Sequence, residues 1–138
     1  DNIPGGNERI LIVDDEHVIA EMTKLILQKL GYNVQTAPGS LEALDIFRLS
    51  PGDYDLVITD QTMPHMPGLT LVKEIRSIRP DIPVILCTGF SESADSARLS
   101  EYNVNELLHK PVLTEDLAEA IRRVLNKDSG RVTSTLRE

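Results

Sequence analysis

The sequence is poor in cysteine, in aromatic residues and in long apolar runs. Cys87 is the single cysteine, and the aromatic residues are three tyrosines and two phenylalanines. One thiol forms no internal disulfide, and Cys87 lies in the apolar run 84–87, so we expect a buried thiol in a reducing, cytoplasmic compartment. That run is far shorter than the ~18 residues that span a bilayer, and the first residues lack a signal-peptide pattern. We therefore expect no membrane contact by this segment.

Basic residues are scarce, and so are the glycines of a phosphate-binding loop. The chain has 14 lysines and arginines against 22 aspartates and glutamates, which gives a formal net charge of -8 at pH 7. Nonspecific affinity for nucleic acid comes from neutralisation of phosphates by basic side chains, so we expect no direct nucleic-acid binding. The turn after the first strand-like run reads Asp14-Asp15-Glu16, and these carboxylates would repel a pyrophosphate. A Rossmann-type nucleotide binder is therefore disfavoured.

The length and the apolar pattern predict one folded domain. At 138 residues, with 41% hydrophobic residues, the chain suits a single core. Residues 1–8 are polar and rich in glycine and proline, which predicts a linker. The apolar pattern then continues through residues 9–127, which we predict to be the domain. Beyond Lys127 the pattern stops, so we expect a disordered tail at residues 128–138.

Five short apolar runs alternate with stretches of helical periodicity. The strand-like runs are residues 10–13, 32–37, 56–60, 83–88 and 106–110, and helical patterns follow them at about 18–30, 40–50, 70–79, 91–102 and 114–127. The fourth helical stretch is rich in serine and has few apolar anchors, so we expect a short, mobile helix there. Strands that alternate with helices predict a doubly wound α/β fold, in which a parallel sheet carries helices on both faces.

Two local patterns give predictions about single residues. Ser40 follows a proline and a glycine and begins a helical pattern, which favours it as a side-chain cap of that helix. The residues around Pro67 and Gly68 predict a type II turn, because proline presets the first central position and glycine tolerates a positive φ at the second.

Polar residues follow or end four of the predicted strands. Asp14 and Asp15 come after the first, Asp60 ends the third, Thr88 ends the fourth and Lys110 ends the fifth. The carboxyl ends of parallel strands meet at one edge of the sheet, where open α/β proteins bind their ligands. We therefore expect these five side chains to converge.

Three crowded carboxylates would repel one another, so they need a divalent cation or raised pKa values to coexist. Oxygen ligands with room for water suit Mg²⁺, which commonly accompanies phosphoryl groups. Lys110 can supply a positive charge, and Thr88 a hydroxyl donor, to a phosphoryl group on Asp60. Each residue alone has an ordinary interpretation, as a helix N-terminus, a turn residue or a strand-end hydroxyl. Because all of these residues are predicted at one edge of the sheet, a Mg²⁺ and phosphoryl site is favoured over the separate ordinary interpretations.

Other residues with reactive or metal-ligating side chains lack a pattern of their own. The histidines have no metal-ligand spacing and are interpreted as solvated: His17, His65 and His109. The sulfur-containing side chains near the predicted strand ends are interpreted as packing residues: Met63, Met66 and Cys87.

The residues at the strand ends resemble those of the receiver domains of two-component response regulators. The resemblance covers residues 8–127 and rests on motifs in the family's order: Val13-Asp14-Asp15-Glu16, Asp60 with Met63-Pro64 and Gly68, Thr88-Gly89, and Lys110-Pro111. It implies the flavodoxin-like strand order 2-1-3-4-5. It also implies that Asp60 accepts a phosphoryl group from the phosphohistidine of a histidine kinase.

The same resemblance implies a role for each residue of the site. Asp15 and Asp60 would ligate Mg²⁺ directly, with the backbone carbonyl of Thr62 as a third ligand and Asp14 acting mainly through water. Thr88 and Lys110 would bind the phosphoryl oxygens. The Lys110-Pro111 peptide bond would be cis.

The sequence departs from the family pattern at two positions. Leu107 stands three residues before the lysine, where the family usually has an aromatic residue that reports phosphorylation, and position 67 is proline rather than a small polar residue. The amino-acid sequence of residues 80–91 resembles that of receivers fused to the carboxyl end of hybrid sensor kinases. The expected partner is a histidine kinase or a histidine phosphotransfer domain, in cis or in trans, and the domain itself is expected to be a monomer or weak dimer and not an enzyme.

Two other functions fit the sequence less well. A phosphatase of the haloacid-dehalogenase type requires a second aspartate two residues after the nucleophile, and that position is Thr62. The alternative that stays open is a receiver-shaped interaction module that is never phosphorylated. The intact set of Asp60, Thr88 and Lys110 argues against it.

Overall fold

A computed structural model describes residues 2–89 and 103–137 of the chain. Its strands are β1 (Arg9–Val13), β2 (Asn33–Ala37), β3 (Leu56–Asp60), β4 (Val84–Thr88) and β5 (Glu106–His109). Its helices are α1 (His17–Lys29), α2 (Ser40–Leu49), α3 (Gly68–Ile78) and α4 (Thr114–Arg137), with a short 3-10 helix at Pro51–Asp53. The mobile helix predicted at residues 91–102 lies outside the described residues.

The five strands form one parallel sheet in the order β2-β1-β3-β4-β5. This confirms the predicted topology. Strands β1, β3 and β4 lie in the interior of the sheet, and every residue of β3 and β4 is buried. Continuous apolar runs, rather than alternating ones, are the expected sequence of strands covered on both faces.

Helices cover both faces of the sheet and divide the core into two clusters. On one face, Ile10 and Ile12 of β1 pack in a cluster with Leu27 of α1 and Ile121 of α4. On the other face, the alternate β1 residues pack with side chains of α2 and α3, such as Phe47. Successive strand residues point to opposite faces, so one buried strand contributes to both clusters.

Helix α1 buries less of its apolar surface than its sequence suggests. Ala20 and Leu27 are buried, whereas Val18, Met22 and Leu25 are 57–69% exposed. Helical spacing shows that residues share a face, but it does not show what that face contacts.

Gly68 does not form the type II turn that the sequence predicts. It is instead the first residue of α3, and its backbone N–H donates to the Gln61 carbonyl oxygen at 2.8 Å. A Cβ atom at this position would lie 2.1 Å from the Asp60 carbonyl oxygen and 2.9 Å from Leu86 Cδ1. Glycine is required here because α3 starts against the end of β3, and not because of a positive φ.

Ser40 does not cap α2, although its position favours that role. The N-cap of α2 is Gly39, and no side chain caps it. The Ser40 hydroxyl donates instead to the Met66 carbonyl oxygen at 2.7 Å, and Ser40 is buried. A buried hydroxyl needs a partner, and the loop before α3 provides one that cannot be read from neighbouring residues.

The two ends of the domain are joined by a charged contact. Arg122 of α4 donates to both carboxylate oxygens of Glu8, at 2.8 and 3.1 Å, and to the Tyr32 hydroxyl at 3.2 Å. The Gly6 N–H also donates to the Leu30 carbonyl oxygen. The last residues of the predicted linker, 6–8, therefore contact the domain.

Helix α4 continues to Arg137, although the sequence predicts a disordered tail from residue 128. Once a helix has started, each further residue adds one backbone hydrogen bond, so its end need not coincide with the end of the apolar pattern. None of the helices in the described ranges has the length and apolarity that crossing a bilayer requires.

Candidate functional site

Strands β1 and β3 bring three carboxylates together. The strands pair so that Val13 lies opposite Thr59, which places the residues that follow Val13 beside Asp60. Carboxylate oxygens of Asp14, Asp15 and Asp60 lie within 4.8 Å of one another. Asp14 and Asp60 are buried and Asp15 is exposed. The convergence that the sequence predicts at the carboxyl edge is thus confirmed for these three residues.

The chain after Asp60 is held by the backbone and side chain of Gln61. Its N–H donates to the Cys87 carbonyl oxygen at 2.9 Å, and its side-chain Oε1 accepts the N–H of Leu69 at 2.9 Å. Because its own carbonyl accepts the Gly68 N–H, Gln61 joins β3, β4 and the start of α3. The sequence does not point to Gln61, since a glutamine after a strand has no recognisable pattern.

Lys110 contacts the buried carboxylate directly. Its Nζ lies 2.7 Å from Asp60 Oδ1 and 2.8 Å from Asp60 Oδ2, and 3.9 Å from Glu16 Oε1. The backbone N–H of Lys110 donates to the Thr88 carbonyl oxygen at 2.7 Å, and the Lys110-Pro111 bond is cis, as the resemblance implied. Glu16 is therefore a second acidic residue near the lysine, and its position in the sequence alone does not indicate this contact.

Burial and charge act against each other at Asp60. Burial, reinforced by neighbouring Asp14, raises the pKa of Asp60 to about 7. The hydrogen bond from Lys110 lowers this pKa, but by a smaller amount. Burial lowers the pKa of Lys110, but its hydrogen bond with Asp60 and the charges of Asp60, Asp14 and Glu16 outweigh burial and leave that pKa raised. A cation beside the carboxylates would lower the free-energy cost of ionising Asp60.

An open cavity of about 360 Å³ lies over the Asp60 carboxylate. The residues that line it are Asp15, Glu16, Asp60, Thr62, Cys87, Gly89 and Lys110. The donors are mainly hard oxygen atoms, and the cavity leaves room for water, which fits the needs of Mg²⁺. Asp14 Oδ1 accepts the Glu16 N–H at 2.9 Å, so one of its oxygens is already engaged.

Two predicted site residues are not among the described residues that line this cavity. Asp14 still meets Asp60 and Asp15 in the carboxylate cluster, whereas no such contact brings in Thr88. It ends β4 and is fully buried, yet it is not among the described residues that line the cavity. Its Oγ1 lies 3.3 Å from Nδ1 of His109, the residue opposite it on β5. Four of the five predicted side chains therefore meet, and the fifth faces a different partner.

Cys87 lies between the carboxylate and the core. It pairs with Asp60 across β3 and β4, and it is 8% exposed. Burial, followed by the charge of Asp60, raises the pKa of the thiol to about 12. The thiol is therefore protonated at neutral pH, which supports the interpretation of Cys87 as a packing residue.

A larger, mostly apolar cavity of about 620 Å³ adjoins the site. It runs between α1 and the start of α4, and its walls include Ile19, Met22 and Leu117. Asp60 and Lys110 lie at its polar end. The exposed apolar surface of α1 is therefore adjacent to the charged site, through this shared cavity.

Comparisons with known proteins place the chain in a family. The sequence model of the response regulator receiver domain matches residues 10–122. Sensor kinase CckA of Brucella abortus is 34% identical over 122 residues, which are 88% of this chain and 13% of that protein. Response regulator MprA of a Mycobacterium species is 30% identical over 121 residues, which are 88% of this chain and 52% of that protein. The chain thus spans only part of the length of these relatives.

Solved structures agree with the sequence comparisons. A response regulator receiver domain protein from Clostridium thermocellum has a TM-score of 0.83 and 35% identity, over 88% of this chain and 97% of that one. A CheY-like receiver domain protein from Methanospirillum hungatei has a TM-score of 0.82 and 30% identity, over 91% and 99% of the two chains. The chain belongs to the family of response regulator receiver domains.

Proposed function

We propose that this receiver domain is phosphorylated on Asp60 by the phosphohistidine of a histidine kinase or a histidine phosphotransfer domain. The observation that carries the proposal is the contact of Lys110 Nζ with both oxygens of a buried carboxylate, beside two further carboxylates. A lysine and an acidic cluster around one aspartate provide both the acceptor and the charges that a phosphoryl group needs.

In the proposed reaction one carboxylate oxygen of Asp60 forms a bond to phosphorus. The bond between phosphorus and the imidazole nitrogen of the donor histidine breaks, and its electron pair stays on that nitrogen, which then takes a proton from solvent. The product is an acyl phosphate on Asp60 and a neutral histidine. Lys110 then pairs with the new phosphoryl oxygens instead of the free carboxylate.

Asp15, Asp60 and the Thr62 carbonyl would hold Mg²⁺, with Asp14 acting mainly through water. When bound, Mg²⁺ supplies positive charge that offsets the charges of the carboxylates and the phosphoryl oxygens. With that charge beside it, Asp60 would stay ionised for attack although burial raises its pKa.

The apolar surface beside the site supports a helical protein partner. Val18, Met22 and Leu25 are exposed on α1, and Leu113, next in the chain to Val112 of the cavity wall, is 60% exposed. A phosphohistidine on a helix could reach Asp60 while that helix covers these residues, since exposed apolar groups beside a polar site are typical of interaction surfaces.

The domain acts in this proposal as a cytoplasmic phosphoacceptor and not as an enzyme in its own right. Relatives include both a sensor kinase and response regulators, so a longer protein that contained this domain would be a hybrid histidine kinase or a regulator with an output domain. The second candidate, an interaction module that is never phosphorylated, is favoured by no observation at Asp60.

The test is incubation of the chain with acetyl phosphate and Mg²⁺, followed by mass spectrometry. We expect one added phosphoryl group, which is absent without the metal and absent in Asp60→Asn. The matched control is Asp45→Asn, which changes an exposed carboxylate of α2 outside the site and should be modified like the wild type. Modification of Asp60→Asn would refute the assignment, and binding of neither phosphoryl nor beryllofluoride would support the unphosphorylated module.

A further inference from the structure

Thr88 and His109 form a polar pair at the edge of the sheet. They are opposite each other at the ends of β4 and β5, and the Thr88 Oγ1 to His109 Nδ1 distance is 3.3 Å. Thr88 is fully buried and His109 is exposed. The pair therefore connects a buried residue next to the site with the surface of the domain.

The Thr88 hydroxyl cannot serve His109 and a phosphoryl group in one position. The cavity over Asp60 is lined by Cys87 and Gly89, the residues on either side of Thr88, but Thr88 itself does not line it. To reach an oxygen in that cavity, the hydroxyl must turn away from the His109 ring. Because the Thr88 side chain occupies one rotamer at a time, the position that contacts His109 and the position that reaches the cavity exclude each other.

We propose that His109 is a positioning residue that couples Thr88 to the protein surface. It holds the hydroxyl outside the cavity while Asp60 is unmodified, and its ring is released when the hydroxyl turns to a phosphoryl oxygen. This inference rests on the proposed phosphorylation of Asp60 and adds a residue through which the modification is transmitted.

The position of His109 suits this role better than that of Leu107. Both residues lie on the same face of β5, because strand residues two apart share a face. Leu107 has no side-chain polar atom that could bond to the Thr88 hydroxyl, whereas the His109 Nδ1 lies within hydrogen-bond distance of it. His109 and Leu107 also line a surface pocket with Asp116, Glu119 and Arg123 of α4, so movement of the ring would change a charged surface.

The proposal predicts the direction of an affinity change. The hydrogen bond to His109 must break before Thr88 contacts the bound phosphoryl group, so removal of that bond should favour the bound state. A net contribution typical of one hydrogen bond corresponds to a gain of about fivefold in affinity.

The experiment measures binding of beryllofluoride, an analogue of the phosphoryl group, to the whole chain in the presence of Mg²⁺. His109→Leu removes the hydrogen bond and should bind about fivefold more tightly than the wild type. His109→Asn places an amide atom where Nδ1 lies and should bind like the wild type. In a Thr88→Val background the His109→Leu change should have no effect, since the hydroxyl is gone. Equal effects of His109→Leu in both backgrounds, or no effect in either, would overturn the coupling.

A second measurement follows the His109 ring itself. Nitrogen NMR of the imidazole should show a shift when beryllofluoride saturates the wild type and none when it saturates Thr88→Val, with fluorine NMR reporting the bound analogue in both. A bound fluorine signal with an unchanged His109 ring in the wild type would overturn this inference alone. Absence of any bound signal in the wild type would overturn the proposed phosphorylation instead.

Discussion

Asp60 and Thr88 end neighbouring strands, β3 and β4, but their side chains are held in opposite ways. Asp60 faces the cavity and already contacts Lys110 through both carboxylate oxygens. Thr88 is turned to His109 and lies outside that cavity. The acceptor half of the site, Asp60 with Lys110, is therefore assembled in the unmodified protein. The half that would report the modification, Thr88 with His109, is not yet in contact with the cavity.

This difference has a physical reason. Phosphoryl transfer is faster when the charged groups are already in position, because no energy is then spent on moving them during the reaction. The groups around Asp60 are therefore expected to be fixed. A switch needs two states with different contacts, so the group that reports the reaction must have another partner before it. Substitutions in the two halves should therefore have effects of different size.

The largest expected effect is on the free energy of unfolding, because ionising the buried Asp60 carboxyl destabilises the folded protein. The pKa of Asp60 is raised from its ordinary 3.8 to about 7 by burial, with Asp14 adding to the rise against the opposing effect of Lys110. Between these two values the folded protein binds more protons than the unfolded chain, so the stability that depends on Asp60 falls as pH rises from about 4 to about 7. Asp60→Asn removes this loss and should be more stable at pH 8 by roughly 3 kcal/mol.

Urea denaturation at a series of pH values, with chelator present, would measure the difference between Asp60→Asn and the wild type. The gap should close below pH 4, where the wild-type carboxyl is protonated in both states. Asp45→Asn should show no such gap because Asp45 is exposed. A variant less stable than the wild type at pH 8 would mean that the Lys110 pair outweighs burial.

The second effect lies within the carboxylate cluster. Asp15 is exposed and lines the cavity, whereas Asp14 is buried and accepts the Glu16 N–H. We expect Asp15→Ala to weaken Mg²⁺ binding by about 10- to 100-fold and Asp14→Ala to weaken it less. Calorimetric titration with MgCl₂ would measure both. Unchanged affinity in Asp15→Ala would place the metal elsewhere.

The regular part of the fold was predictable from the sequence, and so was the acceptor half of the site. Runs such as 56–60 and 84–87 have the composition and length of buried strands, and parallel strands end at one edge by geometry. Asp14, Asp15 and Asp60 meet because the strands before them pair in register. No side-chain conformation was needed to infer their convergence.

The contacts that escaped prediction depend on the rotation of one side chain or on the path of a loop. Thr88 was expected in the phosphoryl site, but a turn about its Cα–Cβ bond decides whether its hydroxyl faces the cavity or His109. The sequence predicts a turn at Gly68, whereas the close approach of α3 to the Asp60 carbonyl explains the glycine. Spacing along the sequence carries no information about either.

The smallest expected effect is that of Leu107→Ala on signalling. Leu107 occupies the position where the family usually has an aromatic residue, it is half-buried on β5, and it carries no atom that could bond to Thr88. If the Thr88 to His109 contact transmits the change, truncation of Leu107 should cost about 1 kcal/mol of stability and leave the response to beryllofluoride largely intact. Amide NMR of residues 89–99 and 106–110, with and without the analogue, would compare the variant with the wild type. Loss of these shifts in Leu107→Ala, while fluorine signals show the analogue bound, would assign the coupling to Leu107 packing instead of the Thr88 to His109 contact.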